Sequence, residues 1–339
     1  MPLQGIIRNM CPLGHLFKRF VEGTFMPALV THHLFGEESI NRLPQGIIET
    51  EEERCAFILG NQGPDPFFFR FRSTHLKDCM LLAQVMHRSR MSKQFDTLRN
   101  GVTRLQKADA NLGRAFVLGL LSHYVLDRNA HPFVYEQQFG IVEADPSLAA
   151  SASPVHAVIE SDLDVLMLQL KRDGATCAQY PPACELVTTD RIDRVAGALF
   201  CFVAARVYGI DVRASEYGGA VADMQLLYRT IEPAGSPRTN VIAALEGVVS
   251  DHSLLQSLAH RVTTEAPART GNLGNLSWKN PFTQVESTES FLQVFDRALD
   301  DYERAAAQFI AGAGMTELTG HVNYSGRVLD ADEEFDREE

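Results

Sequence analysis

Histidines and carboxylates recur at a spacing of one helical turn in the middle of the chain. His123, Asp127 and His131 follow one another at intervals of four residues, and His156 and Glu160 have the same spacing. Four residues are about one turn of an α-helix, so such side chains share a face. Imidazoles and carboxylates on one face can bind the same cation. One pair alone would favour an ordinary surface hydrogen bond or ion pair, but two groups this close along the chain predict a metal site.

The residues around the first group are strongly apolar. Phe116, Leu120 and Tyr124 recur at helical spacing within residues 112–130. A helix of this composition is expected to be buried, and a buried imidazole or carboxylate must be paired or bound to metal to offset its desolvation. The apolar context therefore supports the metal interpretation.

Three further candidates lie upstream. Asp65 stands in the turn sequence Gly63-Pro64-Asp65-Pro66, His32 in Thr31-His32-His33, and His75 ten residues after Asp65. Each has a simpler alternative, because Asp is a common turn residue and the histidines could be solvated. All three could also reach the centre predicted downstream.

The remaining histidines have no acid at a spacing that suggests a metal. His87 is isolated in the sequence, and His252 and His260 lie on a predicted later helix. Asp164 shares the face of Glu160 and is predicted to orient a ligand imidazole.

The elements that must position these residues are predicted to be almost entirely helical. No segment sustains the alternation of a half-buried strand, and residues 265–285, which contain Trp278, are interpreted as an ordered loop. Ser153-Pro154 is predicted to open one helix as its N-cap and first residue. The predicted helices span residues 112–130 with a continuation, 154–171, 190–209, 218–232, 239–262 and 287–312. The fold class predicted from this pattern is all-α, a multi-helix bundle.

The chain divides into one main domain and two terminal segments. Residues 26–320 are predicted to form a single helical catalytic domain, with the metal ligands at 28–170 and additional helices at 190–312. Residues 1–25 are interpreted as an N-terminal extension or a translation-start artefact, since Met26 opens a plausible start. Residues 321–339 are interpreted as an acidic C-terminal tail, whose last ten residues, 330–339, are predicted to be disordered. No apolar run reaches the length of a membrane span and no secretory signal is evident, so a cytoplasmic location is expected.

Charge and cysteine content restrict the function classes. Of the 339 residues, 31 are Lys or Arg and 43 are Asp or Glu, a net charge of −12, which disfavours a broad nucleic-acid-binding surface. Much of this charge lies in the last ten residues, and bound metal would neutralise three more acids, so a phosphate ester remains a possible substrate. The six cysteines form no C-x-x-C pair and predict no disulfide framework.

The ordered set of motifs resembles the zinc-dependent phospholipase C family. The set runs from Thr31-His32 through Gly63-Pro64-Asp65 and His75 to the His-x-x-x-Asp-x-x-x-His and His-x-x-x-Glu groups. That family includes phosphatidylcholine-preferring phospholipases C and the catalytic domain of glycosylphosphatidylinositol-specific phospholipase D, and single-strand nucleases share its fold. The resemblance covers residues 28–170 and implies an all-α bundle with a cluster of two to three zinc ions.

The resemblance also implies a ligand for each ion. Asp127 would bridge two zinc ions. The ligands would be Asp65, His75, His123 and Asp127 for one zinc, His32 with Asp127 for a second, and His131, His156 and Glu160 for a third. His33 remains an alternative to His32, and His87 an alternative to His75. Secreted relatives complete the second site with an N-terminal Trp, which this sequence lacks, and an amine at Pro27 after removal of Met26 is a hypothetical replacement.

The implied activity is hydrolysis of a phosphodiester by a metal-activated water, with Asp65 as the catalytic residue that orients or deprotonates it. The alternatives are a nuclease or other small phosphoester hydrolase, and a non-catalytic helical zinc-binding protein. The expected partner is a phosphoester, with phospholipid as one class, accompanied by transient contact with a membrane surface and no stable nucleic-acid partner.

Two sets of neighbouring residues bear on the substrate. Phe67–Phe69 and Phe133–Tyr135 lie beside predicted ligands and either line an apolar cleft or pack in the core. A nuclease would benefit from basic residues near the cleft, for which the candidates are Arg70, Arg72, Lys77 and Arg128.

Overall fold

The computed structural model of the chain describes residues 28–237, 239–240 and 253–334. The predicted extension at 1–25, Met26, Pro27 and His252 lie outside the described residues, as do residues 241–252 of the helix predicted at 239–262.

The architecture is all-α, as predicted. The helices are α1 (Leu29–Ile40), α2 (Glu51–Gly60), α3 (Leu76–Arg88), α4 (Met91–Arg104), α5 (Ala110–Ala144), α6 (Ala152–Lys171), α7 (Asp190–Val203), α8 (Ser215–Ile231), α9 (Leu254–Ser257), α10 (Phe291–Ile310), α11 (Met315–Thr319) and α12 (Ala331–Glu334). Three short 3₁₀ turns lie at Asp65–Phe69, Pro146–Ser151 and Pro182–Cys184, and a π-helical turn extends α7 over Ala204–Tyr208. Strands β1 (Trp278–Lys279) and β2 (Glu286–Ser287) pair antiparallel, with Trp278 opposite Ser287.

Helix α5 is the centre of the bundle. It is 35 residues long and packs most extensively against α2 and α10, with further contacts to α1, α6 and α7. Phe116, Leu120 and Tyr124 are fully buried on it, as the apolar pattern predicts. Gly119 lets α2 approach closely, because a Cβ there would lie 2.0 Å from the Phe57 carbonyl oxygen. The central helix therefore places its polar residues deep inside the molecule.

Helices α5, α6, α8 and α10 begin two to four residues from their predicted starts, and neighbouring elements explain the shifts of α6 and α10. Helix α6 begins at Ala152, because the 3₁₀ turn Pro146–Ser151 leads directly into it, and Ser153 lies inside the helix. Helix α10 begins at Phe291 rather than near Ser287, because Ser287 belongs to β2. Its start is instead fixed by a capping box, in which Ser290 is the N-cap and Gln293 completes the pair.

Residues 321–334 pack against the helical body, so the disorder predicted from residue 330 is wrong for residues 330–334. Val322 and Val328 form an isolated antiparallel bridge, and the Tyr324 side chain is fully buried. Glu334, predicted to be a solvated tail acid, is 1% exposed and accepts hydrogen bonds from the backbone N–H groups of Met91 and Ser92 at the start of α4. The acidic composition is therefore used here for helix capping rather than for solvation.

The aromatic run Phe67–Phe69 belongs to the core. All three side chains are buried, and Phe67 packs edge-on against Phe200 and Tyr217. The cleft interpretation of these residues is therefore wrong, because their rings point between helices.

Within the described parts of the chain, none of the helices is both long enough and apolar enough to cross a bilayer.

Candidate metal centre

Helix α5 presents His123, Asp127 and His131 along one buried face, and each of these side chains is at most 2% exposed. The intervals of four residues carry them down the helix one turn at a time. Two groups of residues from other elements meet this face at successive levels.

The first group surrounds His123 and is called here the His123 cluster. It consists of His32 on α1, Asp65 in the 3₁₀ turn, His87 on α3, and His123 and Asp127 on α5. Within it, the His32 Nε2 lies 3.1 Å from Asp127 Oδ1, and the His87 Nε2 lies 3.1 Å from Asp65 Oδ1. The His123 Nε2 lies 3.3 Å from Asp127 Oδ2 and belongs to two possible ligand triplets, one with His32 and Asp127 and one with Asp65 and His87.

The second group, the His131 cluster, consists of His131 on α5 with His156 and Glu160 on α6. The Glu160 Oε1 lies 3.5 Å from His131 Nε2 and 3.2 Å from His156 Nε2. Asp127 Oδ2 is 3.9 Å from His131 Nδ1, so the two clusters adjoin along α5. The arrangement could hold neighbouring cations.

The imidazole rings are oriented by oxygen acceptors behind them. The Nδ1 atoms of four rings lie within hydrogen-bond distance of such an oxygen. The pairs are His87 with Ala83 O at 2.7 Å, His123 with Asn61 O at 3.2 Å, His131 with Tyr324 O at 2.7 Å, and His156 with Gln138 Oε1 at 2.7 Å. An oxygen at this place holds a proton on Nδ1, so the neutral ring presents the Nε2 lone pair to the cluster. This is the tautomer that a metal ligand requires.

Several atoms that face the clusters are buried and have no hydrogen-bond partner. These atoms are His87 Nε2, His123 Nε2, His156 Nε2, Asp65 Oδ1, Asp127 Oδ2 and Glu160 Oε2. Buried polar atoms of this kind are costly, and proteins rarely leave them unpaired. Nitrogen and carboxylate oxygen are the donors that zinc prefers among such side chains, so the residues present fit a bound metal.

The electrostatics of the two clusters also favour a bound cation. Burial alone would raise the pKa of Asp127, but the imidazoles of His123 and His131 lower it below its ordinary range. At Glu160, burial would likewise raise the pKa, but His156 and His131 lower it below its ordinary value. Conversely, burial would lower the pKa of His131, and Asp127 with Glu160 raises it to about 9. The site therefore contains buried anions that require a positive charge, supplied by protons when no metal is bound.

The structure brings together all but one of the predicted ligands. His32, Asp65, His123, Asp127, His131, His156 and Glu160 meet in the two clusters. His75 does not, because it precedes the first turn of α3, where its side chain is 27% exposed and lies 3.8 Å from Asp78.

His87, the alternative to His75, occupies the corresponding place at the other end of α3. Its distance from Asp65 along the sequence gave no reason to prefer it. The signal that could have found it is the buried stripe of Cys79, Ala83 and His87, which recurs every four residues. Likewise His32 rather than His33 joins a cluster, since His33 pairs with Glu185 at 2.8 Å on the outer side of α1.

Besides Ala83, whose carbonyl orients His87 within α3, three residues that orient the ligands were not found from the sequence. The backbone carbonyl of Asn61 accepts a hydrogen bond from His123 Nδ1, and the side-chain amide of Asn61 donates one to the His32 carbonyl oxygen. Gln138 accepts from His156, and Tyr324 accepts from His131. Of these, only Gln138 had a sequence signal, because it lies seven residues after His131 on the same face of α5.

Asp164 has a different role from the one predicted. Its carboxylate accepts hydrogen bonds from the backbone N–H groups of Val30 and Thr31, at the first turn of α1, rather than from a ligand imidazole. It also lies 2.9 Å from the Nε2 of His260, whose Nδ1 is 2.5 Å from Glu232. Burial would lower the pKa of His260, but these two carboxylates raise it to about 10. Asp164 and His260 therefore hold the helix that carries His32.

The arginines proposed for a polyanionic substrate are paired with acids. Arg70 pairs with Glu216 and Asp223, Arg72 also pairs with Asp223, and Arg128 pairs with Asp301. The side chain of Lys77 is exposed.

Aromatic residues do lie at the edge of the His131 cluster. The Tyr135 ring centroid is 5.2 Å from that of His156 and 5.6 Å from that of Phe139, which is 48% exposed. Tyr135 thus connects the metal ligands with an exposed aromatic side chain.

Comparison with known proteins agrees with the geometry. Residues 31–197 match the family model described as zinc dependent phospholipase C. The matched stretch contains every residue of both clusters. No curated protein and no solved structure matches the chain. The match assigns residues 31–197 of the chain to the zinc-dependent phospholipase C family.

Proposed function

We propose that this protein is a zinc-dependent phosphoesterase that hydrolyses a phosphodiester in the manner of a phospholipase C. The observation that carries the proposal is the set of buried, partnerless nitrogen and oxygen atoms in two adjoining clusters within the family domain. A closed structural site would need only one complete set of four ligands, whereas here each set is a triplet that leaves a coordination position for water or phosphate.

The two clusters would hold two to three zinc ions. His131, His156 and Glu160 would hold one ion. The His123 cluster would hold one or two, because His123 belongs to both of its triplets. Bound zinc would polarise the phosphoester oxygens and lower the pKa of a bound water to about 7.

Asp65 is the residue that we propose to act on the attacking water. Its side chain is 3% exposed and lies at the start of the 3₁₀ turn, beside His87 and 3.9 Å from His123 Nε2. Burial raises the pKa of Asp65 despite the neighbouring His87. From this position in the His123 cluster, Asp65 would orient the water and accept its proton at a carboxylate oxygen.

The substrate class that we favour is a phosphodiester carrying apolar groups, such as a phospholipid, reached through transient contact with a membrane surface. Tyr135 and the exposed Phe139 offer apolar surface next to the His131 cluster. A nuclease is the second candidate, and it is disfavoured because Arg70, Arg72 and Arg128 are already paired with acids. No stable nucleic-acid partner is therefore proposed.

The test combines metal content with hydrolysis assays. Protein produced with zinc should contain two to three zinc ions per chain and should hydrolyse phosphatidylcholine faster than bis(4-nitrophenyl) phosphate or single-stranded DNA. A zinc content near zero would contradict the proposal. Bound zinc without turnover of any of the three substrates would favour the non-catalytic zinc-binding alternative, and preferential cleavage of DNA would favour the nuclease.

A further inference from the structure

The C-terminal segment 321–334 contacts both metal-ligand clusters, although it lies outside the stretch that matches the family. The Tyr324 carbonyl oxygen accepts from His131 Nδ1 at 2.7 Å, and the Tyr324 backbone N–H donates to the His87 carbonyl oxygen at 3.3 Å. One residue of this segment thus touches a ligand of each cluster through its backbone.

The Tyr324 side chain covers the same region. Its ring centroid lies 4.7 Å from that of His87 and 5.6 Å from that of His123. Its hydroxyl accepts a hydrogen bond of 2.7 Å from Gln94 Nε2, and the side chain is fully buried. The ring is therefore fixed in place, and it shields one side of the His123 cluster from water.

The segment is held against the helical body at its far end. Glu334 caps α4 through Met91 and Ser92 with hydrogen bonds of 2.9 and 2.8 Å, and the Arg90 backbone N–H donates to the Glu333 carbonyl oxygen. Helix α4 follows directly after α3, whose last turn carries His87. The anchor is thus close in sequence to a metal ligand.

Gly326 determines how closely the segment approaches α5. Its φ is +79°, and a Cβ at this position would lie 2.7 Å from the Arg128 carbonyl oxygen and 2.5 Å from Pro132 Cγ. Arg128 and Pro132 flank His131 on α5. Any larger residue at position 326 must therefore push the segment away from the helix turn that carries His131.

We propose that residues 321–334 are a positioning element of the metal centre, in which the Tyr324 carbonyl fixes the ring of His131 and Gly326 and Glu334 keep that carbonyl in place. This inference rests on the proposed function, because it requires that the His131 cluster binds zinc. Removing a hydrogen-bond partner of a ligand histidine typically weakens metal binding about 10–100-fold.

The experiment compares two glycines of positive φ. Gly326→Ala introduces both backbone strain and the collision with α5, whereas Gly320→Ala, at φ +57°, introduces strain with no atom within 4 Å of the new Cβ. Zinc affinity is measured by chelator competition on the full chain, and coordination geometry by the visible spectrum of the cobalt-substituted protein. Gly326→Ala should bind one ion about 10–100-fold more weakly and change the cobalt spectrum, while Gly320→Ala should match the wild type.

A second pair of variants keeps the test open if Gly326→Ala does not fold, as judged by circular dichroism. Glu334→Ala releases the anchor without placing an atom near a ligand, and Glu317→Ala removes an exposed acid of α11 as its control. Glu334→Ala should reproduce the weaker zinc affinity and the changed cobalt spectrum.

The two possible failures are distinguishable. A wild type that binds neither zinc nor cobalt would overturn the proposed function and this inference together. A wild type that binds both, with Gly326→Ala and Glu334→Ala losing only thermal stability at unchanged zinc affinity and cobalt spectrum, would overturn the inference alone.

Discussion

The two metal-ligand clusters are assembled in opposite ways. The His123 cluster draws its residues from α1, the 3₁₀ turn, α3 and α5, whereas the His131 cluster needs only the consecutive helices α5 and α6. The supporting acceptors do not follow this division. His87 is oriented by Ala83, four residues away on the same helix, whereas His131 is oriented by Tyr324, 193 residues further along the chain.

Ligands that are close together in the sequence can therefore depend on residues far away in the chain for their orientation. The i, i+4 spacing on two neighbouring helices brings His131, His156 and Glu160 together, but ring orientation depends on Gln138 and Tyr324. In the His123 cluster the positions of the rings depend on the packing of several helices. The tautomer of His87 depends on Ala83 in its own helix, and that of His123 on Asn61, 62 residues away. The predictions below are ordered from the largest expected effect to the smallest.

The largest effect is expected for His123→Ala. His123 belongs to both triplets of its cluster, so its loss should remove zinc from the whole cluster and reduce phosphodiester hydrolysis to background. Metal analysis and the phosphatidylcholine assay check this. His75→Ala, at the residue just before α3, is the matched control, and it should retain wild-type zinc and activity. Loss of zinc in both variants would restore the sequence-based assignment of His75.

A smaller loss of metal is expected for His156→Ala. This side chain serves only the His131 cluster, so one zinc ion should be lost while the His123 cluster keeps its own. Elemental analysis should therefore show a partial loss for His156→Ala and a larger one for His123→Ala. Equal losses for the two variants would mean that the clusters bind metal as one cooperative unit.

A graded effect is expected at Gln138. Gln138→Leu removes the acceptor for His156 Nδ1, and Gln138→Glu keeps an oxygen in that place. Zinc affinity of the His131 cluster should fall about 10–100-fold in the leucine variant and much less in the glutamate variant. Chelator competition measures this, and equal affinities in both variants would show that the ring of His156 is held by packing alone.

The smallest effect concerns stability rather than metal binding. Asp164 and Glu232 raise the pKa of His260 to about 10, against burial, which would lower it. The protonated ring therefore stabilises the fold fully below the unfolded pKa of 6.5, and this contribution is lost as the pH rises through 10. The free energy of unfolding of the wild type, relative to that of His260→Gln, should fall by up to about 1.4 kcal/mol per pH unit across this window.

Denaturant unfolding between pH 6 and 10 checks the His260 prediction. The comparison with His260→Gln cancels the titration of groups shared by both proteins. A difference in unfolding free energy that stays constant with pH would show that His260 is neutral in the fold, and that Asp164 alone holds the first turn of α1.

Part of the site was predictable because it follows from helix geometry. The buried face of α5 and the pairing with α6 both arise from intervals of four residues in apolar surroundings, and the structure brings those residues together. The choice between His75 and His87 could not be made this way. Both lie close to α3, and only the packing of that helix decides that its C-terminal end faces the clusters.

The C-terminal segment was misjudged for a related reason. Its acidic composition predicts solvation. Glu334 instead accepts hydrogen bonds from two backbone N–H groups at the start of α4, which have no acceptor within the helix, and Tyr324 is buried against ligand histidines. Composition describes a segment on average, whereas capping and burial depend on the contacts that an individual side chain makes in the folded structure.

The sequence by itself determined the all-α class, the buried helix α5 and the types of donor atom available to a metal, since these depend on hydrophobic periodicity and side-chain chemistry. Only the tertiary structure decided which histidine completes the His123 cluster and which residues orient the rings. Those choices depend on contacts between elements far apart in the chain, and such contacts leave no periodic signal in the sequence.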